Sequence, residues 1–381
     1  MDQEAELSVL KHLIAIPSVN DHEADVADYI ASLFEGKPGV KIEKVTYAPG
    51  RDNLVVTVGD GEHPLGFSGH EDVVAPGNRA AWESDPFTAT VKDGRLIGRG
   101  AADMKSGLAA VVCAMLEMIE DGGPAGPIKL LASLGEETGN YGAAQLTKAG
   151  YADNLGGLVI AEPSNGMRDI DFACKGVIDY KVTAVGKSAH SSRPQEGVNA
   201  ISHLLEFANK VEPMLDSFTA EDPILGKLVH SITKFNGGEQ VNNIPSHAEL
   251  MGNIRTTPAT PNKEIYAALE KLVAELNQKP DHHLTLTYSY PEEAVPGTPD
   301  EPLVKLANKV HQDVFGKPAK LTATSGTSDG SEYHLAKGDF DIIEAGPGSQ
   351  SSHQSNEYVE LDAYYKAIEF YKKLTKAFFE N

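Results

Sequence analysis

The chain has 381 residues, of which 41% are hydrophobic and 23% are charged, and its formal net charge is −22. This length allows a large core and more than one domain. Such an acidic surface repels phosphate backbones, so we expect no nucleic-acid partner. The two cysteines, Cys113 and Cys174, lie in apolar segments, so we expect buried thiols and neither a disulfide framework nor a zinc–thiolate site.

The N-terminal segment MDQEAELSVLKHL is acidic and amphipathic. It lacks the basic and apolar regions of a signal peptide. No part of the sequence approaches the run of about 20 apolar residues that a membrane-spanning helix needs. We therefore expect a cytoplasmic protein without a membrane partner.

The first part of the chain alternates between helical and strand patterns. In chain order the pattern predicts helices at 4–15 and 22–34, strands at 53–59 and 64–70, a helix from Lys105 to Gly122-Gly123, a strand at 128–137, a helix in NYGAAQLTKAG and a strand at 155–163. Alternating strands and helices predict an α/β domain, with a mostly parallel central sheet and helices on both faces.

The pattern changes near residue 175. The segment predicts, in order, a strand at 177–186, a helix at 197–212, a strand in AELMGNIRTT, a helix at 261–277 and a strand at 283–290. These five elements match the ferredoxin-like α+β order of strand, helix, strand, strand, helix, strand, except that only one of its two middle strands is located. We therefore predict an inserted domain at 175–290 within a discontinuous first domain, 1–174 and 291–381, whose last elements are a helix at 302–316, the strand FDIIEAG and a C-terminal helix. Ligands from both parts of the first domain would place the active site in a cleft between the domains.

Several acidic residues and histidines stand at or just beyond the ends of apolar runs. They are His70, Asp72, Asp103, Glu136, Glu137, Glu162 and His353. Acids at the carboxyl ends of neighbouring parallel strands meet in one crevice, and burying them is costly unless a positive charge meets them. Two imidazoles with several carboxylates suit two divalent metal ions and a general base. The set predicts metal-assisted hydrolysis.

Each of these residues also has a simpler explanation when it is taken alone. Asp72 could accept the second ring N–H of His70 if the backbone stays extended, or it could be an ordinary turn residue. Asp103 precedes a helix, and aspartate is a good helix N-cap. It is the joint occurrence of these residues along one chain that favours the metal site.

Nine segments of the sequence together resemble the M20 family of metallohydrolases. They are SGHEDVV, GRGAADMKSG with the preceding Trp82, GEETG, AEPS, KSAHSSRPQEGVNAI, NNIP, NIRTTP, SGTSDG and SSHQSNE. The resemblance implies a site for two Zn²⁺ ions per subunit, with Co²⁺ or Mn²⁺ as possible substitutes. It assigns His70, Asp103 and Glu162 to one ion, and Asp103, Glu137 and His353 to the other.

The same resemblance implies roles for residues around the metals. Asp72 would orient His70, and Glu136 would be the general base, which requires the strand to be turning where the two adjacent glutamates stand. A cis peptide is expected after Asp103. We expect Trp82 to pack under the metal loop and Glu71 to face away from the metals.

In the inserted domain the resemblance implies substrate-binding residues. His190 would enter the partner subunit's active site and stabilise the oxyanion, which implies a homodimer formed through residues 175–290. Asn243 and Arg255 would bind the substrate, although Arg255 could equally form a cross-strand ion pair. The loop SGTSDG, in particular Ser325, Gly326 and Thr327, could offer backbone amides to an anionic substrate group, or could be a plain turn.

These observations predict an amidohydrolase that cleaves an N-acyl amino acid, in the first place N-succinyl-L,L-2,6-diaminopimelate. Deacylation of N-acetylornithine or other N-acyl amino acids is the first alternative, and dipeptide or aminopeptide hydrolysis is the second. A non-catalytic metal-binding or small-molecule-binding protein is an alternative of another class. It is disfavoured because the chain keeps Glu136 and all five ligand positions.

Overall fold

The computed structural model describes residues 1–380, and for residues 290 and 291 the backbone alone. In chain order the strands are β1 (Val40–Ala48), β2 (Arg51–Val58), β3 (Leu65–His70), β4 (Thr90–Lys92), β5 (Arg95–Ile97), β6 (Ile128–Ser133), β7 (Gly157–Pro163), β8 (Asp169–Cys174), β9 (Gly176–Val185), β10 (Ala189–His190), β11 (Val229–Gly237), β12 (Asn243–Ile244), β13 (His247–Thr256), β14 (Leu284–Glu292), β15 (Lys320–Thr324), β16 (Ile342–Gly346) and β17 (Tyr358–Glu360). The helices are α1 (Gln3–Ala15), α2 (Ala24–Phe34), α3 (Lys105–Glu120), α4 (Glu136–Gly139), α5 (Tyr141–Lys148), α6 (Ala200–Asp216), α7 (Asn262–Leu276), α8 (Pro302–Phe315), α9 (Gly330–Tyr333) and α10 (Leu361–Glu380).

The chain divides into two compact units. Unit 1 comprises residues 1–173, 297–323 and 328–380, and unit 2 comprises residues 174–296 and 324–327. The lid and dimerisation roles predicted for residues 175–290 remain predictions.

Unit 1 contains a mixed eight-stranded sheet in the order β1-β2-β6-β3-β7-β16-β8-β15. The four central strands β6, β3, β7 and β16 run parallel to one another. Antiparallel pairing begins on either side of them, at β2 and β8. Strands β3 and β6 are almost entirely buried, as expected of parallel strands covered on both faces. The predicted α/β class is confirmed.

Helices cover both faces of this sheet. Phe67 and Ser68 are neighbours on β3, so their side chains point to opposite faces. The Phe67 ring packs edge-on against Tyr371 of α10, with centroids 5.6 Å apart. The Ser68 hydroxyl lies 3.4 Å from the Tyr333 hydroxyl of α9.

One strand ends earlier than predicted. The apolar run at 128–137 predicted a strand that carries Glu136 and Glu137 at its end, and this prediction was wrong because β6 stops at Ser133. Gly135 then adopts φ +66°, a left-handed conformation that glycine allows at little cost. The turn leads directly into α4, so the two glutamates begin a short helix, and adjacent side chains there need not point in opposite directions.

Unit 2 contains a four-stranded antiparallel sheet in the order β11-β13-β9-β14. Helices α6 and α7 pack against it around a core that includes Tyr180, Phe207 and Leu269. The strands of this sheet and the two helices follow the order strand, helix, strand, strand, helix, strand; β11 is the strand of this order that the sequence analysis did not locate.

Cys113 and Cys174 are both buried and neither forms a disulfide, as predicted. Within residues 1–380, no helix combines the length and the hydropathy that a bilayer span requires.

Candidate metal centre

The predicted ligands of unit 1 meet at the carboxyl edge of the central strands. His70 is the last residue of β3 and pairs in register with Ser133, the last residue of β6. Glu162 lies near the end of the neighbouring strand β7. Asp103 lies in the turn before α3, and His353 lies in the loop between β16 and β17. Parallel strands with polar residues at this edge form the usual ligand crevice of an α/β sheet.

The hydrogen bonds of His70 select one tautomer of its buried ring. Its Nδ1 lies 2.9 Å from the backbone carbonyl of Asp72, and because a carbonyl only accepts, Nδ1 carries the hydrogen. Its Nε2 lies 3.0 Å from Oδ1 of Asp103 and 3.8 Å from Oε1 of Glu162. In the neutral ring, Nε2 therefore directs its lone pair towards the carboxylates, as a metal ligand must.

The side chain of Asp72 contacts different groups from those predicted. Its carboxylate accepts hydrogen bonds from the backbone N–H groups of Glu136 at 3.1 Å and Glu137 at 3.2 Å. Its Oδ1 lies 3.6 Å from His70 Nδ1, beyond a good hydrogen bond. Asp72 thus orients His70 through its carbonyl, while its carboxylate holds the turn that carries the two glutamates.

Asp103 lies between the two histidines. Its Oδ1 faces His70, and its Oδ2 lies 3.5 Å from Nε2 of His353. That same nitrogen lies 2.9 Å from Oε2 of Glu137. One carboxylate oxygen for each histidine is the geometry that a bridging ligand between two ions requires.

The donor set fits a pair of divalent cations. Among the described residues, two groups have ligand atoms that all lie within 4.8 Å of one another: His70, Asp103 and Glu137, and His70, Glu136 and Glu162. Carboxylate oxygens with imidazole nitrogens are ligands of zinc and of similar transition metals. The second group includes Glu136, so its carboxylate also lies within reach of a metal.

Neighbouring carboxylates in this buried site disfavour the ionised forms of Glu136 and Glu162. Burial, with repulsion from Glu162 and Glu137, raises the pKa of Glu136 well above its usual value. Burial and repulsion from Asp103 do the same to the pKa of Glu162. Although burial disfavours a charged imidazole, the hydrogen bond to Asp103 and the nearby carboxylate of Asp72 raise the pKa of His70 well above its usual value. A cation bound among these residues would therefore stabilise the ionised carboxylates.

Three further expectations concern the surroundings of the metals. The Asp103–Met104 peptide is cis, as predicted. Trp82 is buried, and its ring lies 5.3 Å from the guanidinium of Arg99 in the loop that leads to Asp103, as expected of a residue that supports this loop. Glu71 is completely buried and belongs to neither ligand group; burial, then repulsion from Glu23 and Asp72, raises its pKa well above the usual value.

A cluster of mostly buried polar residues that was not predicted from the sequence lies near Glu136 and Glu162. The hydroxyl of Ser328 donates to Oε1 of Glu344 at 2.6 Å, and the hydroxyl of Ser133 donates to Asp329. Asn140 donates to the carbonyl of Ser328 at 3.2 Å. Burial raises the pKa of Glu344 to about 7. Ser328 and Asp329 belong to the motif SGTSDG, whose first three residues were the ones predicted to bind substrate.

A second missed residue is Glu357, a buried acid four positions after His353. It stands in the segment SSHQSNE, so the signal was a carboxylate within a motif already singled out.

Within unit 2, the structure brings two of the predicted substrate-binding residues together. His190 of β10 pairs with Asn243 of β12 across a two-stranded antiparallel ladder. The backbone N–H of Ser192 donates to His190 Nδ1 at 3.2 Å, so that nitrogen is the acceptor in the neutral ring. The exposed Nε2 then carries the hydrogen and can donate it to a ligand.

The remaining predicted substrate-binding residues form a second group in unit 2. Arg255 Nη1 donates to the carbonyl of Ser325 at 3.3 Å. The Gly326 amide donates to the Thr324 hydroxyl at 3.0 Å, so in this conformation it is not offered to an anion. Substrate binding by Arg255, Ser325, Gly326 and Thr327 remains a prediction.

Comparison with known proteins gives a consistent result. Residues 66–377 match the family model described as peptidase family M20/M25/M40. A Staphylococcus epidermidis protein named "Probable succinyl-diaminopimelate desuccinylase" is 33% identical over 100% of this chain and 99% of its own length.

Solved structures show the same fold at lower sequence identity. An M20 family metallo-carboxypeptidase from Sulfolobus solfataricus has a TM-score of 0.81 at 18% identity, covering 100% of both chains. A dinuclear metal binding peptidase of the M20 family from Bacillus subtilis has a TM-score of 0.69 at 15% identity, covering 99% of this chain and 98% of its own.

Proposed function

This chain belongs to peptidase family M20/M25/M40, a family of metal-dependent hydrolases, and we propose that it is a two-metal amidohydrolase that removes the succinyl group from N-succinyl-L,L-2,6-diaminopimelate. The observation that carries the chemistry is the meeting of five ligand residues with Glu136 at one sheet edge. The substrate is proposed from the full-length relative at 33% identity.

We assign His70, Asp103 and Glu162 to one ion and Asp103, Glu137 and His353 to the other. Zinc is the proposed metal, because the set combines imidazole nitrogen with carboxylate oxygen. Two bound divalent ions would polarise the amide carbonyl and lower the pKa of the attacking water.

Glu136 is the proposed general base. It takes a proton from the attacking water and then delivers that proton to the amine nitrogen as the amide bond breaks. Its backbone is held by the Asp72 carboxylate, which also holds Glu137. A single acid therefore fixes the base and one ligand in the same turn.

Substrate binding is assigned to unit 2. His190 would donate its Nε2 hydrogen to the oxyanion of the tetrahedral intermediate, and the hydrogen bond from Ser192 favours the tautomer that can do so. Asn243, its cross-strand neighbour, would bind the same end of the substrate. Arg255 would bind a substrate carboxylate through its bidentate guanidinium, and the 325–327 loop would line the succinyl group.

We further propose that His190 acts in a partner subunit, so that the active form is a homodimer joined through residues 175–290. The protein is proposed to work in the cytoplasm on a small soluble substrate.

The test is hydrolysis of a substrate panel by protein reconstituted with Zn²⁺ or Co²⁺. The panel holds N-succinyl-L,L-diaminopimelate, N-acetylornithine, several N-acetyl amino acids and a set of dipeptides. The expected result is a kcat/KM for the succinyl compound at least tenfold above every other. A preference for acetylated amino acids or dipeptides would overturn the substrate assignment, and hydrolysis of none by the metal-loaded protein would overturn the proposed activity.

A further inference from the structure

The side chain of Glu357 lies under the metal loop, in the interior of unit 1. It is completely buried, and it stands directly before β17 and four positions after His353. Burial of a carboxylate costs several kcal/mol unless hydrogen bonds or ion pairs compensate. Its contacts therefore indicate what this residue does.

All described contacts of this carboxylate are to the turn that leads to Asp103. Oε1 accepts from the backbone N–H of Ala102 at 2.7 Å and of Asp103 at 2.8 Å. Oε2 accepts from the backbone N–H of Gly100 at 3.1 Å and from the guanidinium of Arg99. Both oxygens are thus used only as acceptors, which fits the ionised form.

The backbone of Glu357 adds a further contact to the same turn. Its carbonyl accepts from the N–H of Gly98 at 2.9 Å. One residue therefore satisfies four backbone donors between Gly98 and Asp103. These hydrogen bonds hold the backbone of the turn as far as Asp103. The carboxylate of Asp103 then faces both His70 and His353.

This arrangement links two proposed ligands through one side chain. His353 and Glu357 belong to the same loop, while Asp103 is held by Glu357. The distance between Asp103 Oδ2 and His353 Nε2, 3.5 Å, depends on how the two loops dock. Glu357 contributes five hydrogen bonds to this docking, through its carboxylate and its carbonyl.

We infer that Glu357 is a positioning residue for the metal centre, which acts by holding the backbone of residues 98–103 so that Asp103 can bridge two ions. The inference rests on the proposed function, because it takes Asp103 as a ligand. Groups that orient ligands in this manner typically change metal affinity 10- to 100-fold when they are replaced.

The test is Glu357→Gln, with Glu360→Gln as the matched control. The glutamine side chain has one oxygen where glutamate has two. Its NH₂ group would replace Oε1 or Oε2 and would face the N–H donors that this oxygen accepts from in the wild type. Glu360 ends β17 three positions later, where it forms a surface ion pair with Arg168 at 2.8 Å. Metal affinity of the folded apoprotein is measured by titration with Co²⁺, and the visible absorption spectrum of the bound ion reports its coordination geometry.

We expect Glu357→Gln to weaken Co²⁺ binding at least tenfold and to alter the spectrum, while Glu360→Gln stays within twofold of the wild type. Equal affinity and an unchanged spectrum in Glu357→Gln would overturn the inference, even if the urea midpoint falls. Should that variant not fold, Glu357→Asp keeps the charge but shortens the reach, and a wild-type Co²⁺ spectrum there would also overturn it. Failure of the wild type to bind metal would count against the proposed function instead.

Discussion

The imidazole of His353 lies against the carboxylate of Glu137, with Nε2 2.9 Å from Oε2, although 216 positions separate the two residues. Strand β16 makes this contact possible, because it returns the chain to the sheet beside β7 after unit 2. The loop after β16 then reaches the edge where β3 and β7 carry His70 and Glu162. The two parts of unit 1 must therefore assemble before the site exists.

Adjacent glutamates at this edge are expected to respond differently to the same change. Glu136→Gln should retain two metal ions per subunit and lower kcat by about 10²- to 10⁴-fold, because a general base contributes roughly that factor. Glu137→Gln should lose affinity for the ion that it shares with His353. Metal content after dialysis and kcat on the preferred substrate distinguish the two variants.

The Glu136 carboxylate lies within reach of a metal beside His70 and Glu162. A change in metal content, or an unchanged kcat, in Glu136→Gln would therefore contradict its role as the base. Loss of one ion in Glu136→Gln would identify this residue as a ligand. Unchanged kcat would show that another group takes the proton.

The proposed action of His190 in a partner subunit can be tested by mixing two inactive variants. His190→Ala should lower kcat by about 10²- to 10³-fold with metal content intact, since an oxyanion donor is worth roughly that factor. Mixed with Glu136→Gln and refolded together, it should regain about one quarter of the wild-type activity. Half of the dimers would be mixed, and each of these would hold one site with both groups intact.

Ser192→Ala serves as the control: it removes the hydroxyl that lies 2.8 Å from His190 Nδ1, but it keeps the backbone N–H that donates to the same nitrogen and favours the same tautomer. Its kcat should stay within a few-fold of the wild type. No recovery in the mixture would assign His190 to its own subunit's site, and a fully active monomer on sizing would contradict the shared site altogether.

The periodicity of hydrophobic residues predicted the α/β class. The polar residues at the ends of the apolar runs predicted the strand edge where His70 and Glu162 lie. Buried strands of the parallel type have a strong apolar signal, and their ends are marked by the polar residues that follow. The strand predicted at 155–163 is observed at Gly157–Pro163 for this reason.

Details that depend on single backbone angles could not be predicted from the sequence. A turn was expected at the two glutamates, but the end of β6 as early as Ser133 is set by Gly135 at φ +66°, which an apolar run does not indicate. The carbonyl of Asp72 contacts His70 while its carboxylate turns to Glu136, a choice that depends on how β3 and β6 finish side by side. Glu357 was not predicted because four of its five hydrogen-bond partners are backbone amides, which no sequence pattern displays.

Close packing between α3 and β7 gives a prediction about stability. A Cβ at Gly107 would lie 1.9 Å from the carbonyl oxygen of Ala161, which is backbone and cannot move aside easily. Gly107→Ala should therefore lower the free energy of unfolding by about 3 kcal/mol, through overpacking. Because Ala161 precedes Glu162, metal affinity should fall as well. Urea unfolding and Co²⁺ titration measure the two effects.

Gly326→Ala is the control, since the nearest atom to an added Cβ there is the Thr324 hydroxyl oxygen at 3.4 Å and φ is not in the left-handed region. Its unfolding midpoint should match that of the wild type. A Gly107→Ala protein as stable as the wild type would mean that α3 can move away from β7 without penalty.

The carboxyls of Glu6 on α1 and Glu117 on α3 lie close together and give the fold a pH dependence away from the metals. Burial, and then the hydrogen bond shared with Glu117, raises the pKa of Glu6 to about 7 from an ordinary value of 4.5. The pKa of Glu117 is lowered: burial opposes the change, but hydrogen bonds from Lys372 and Glu6 outweigh it. The folded protein thus keeps a proton on Glu6 that the unfolded chain releases.

The sign of the effect follows from this difference. The stabilisation is complete below pH 4.5 and is lost as pH rises through about 7, because there the unfolded chain binds fewer protons than the folded one. Glu6→Gln cannot release a proton, so it should flatten the dependence and be about 1 kcal/mol more stable than the wild type at pH 8, a figure reduced for solvent screening. Urea unfolding at pH 5, 6, 7 and 8 measures it, and the exposed Glu4→Gln should follow the wild-type curve. Parallel curves for Glu6→Gln and the wild type would show that Glu6 keeps no proton in the folded state.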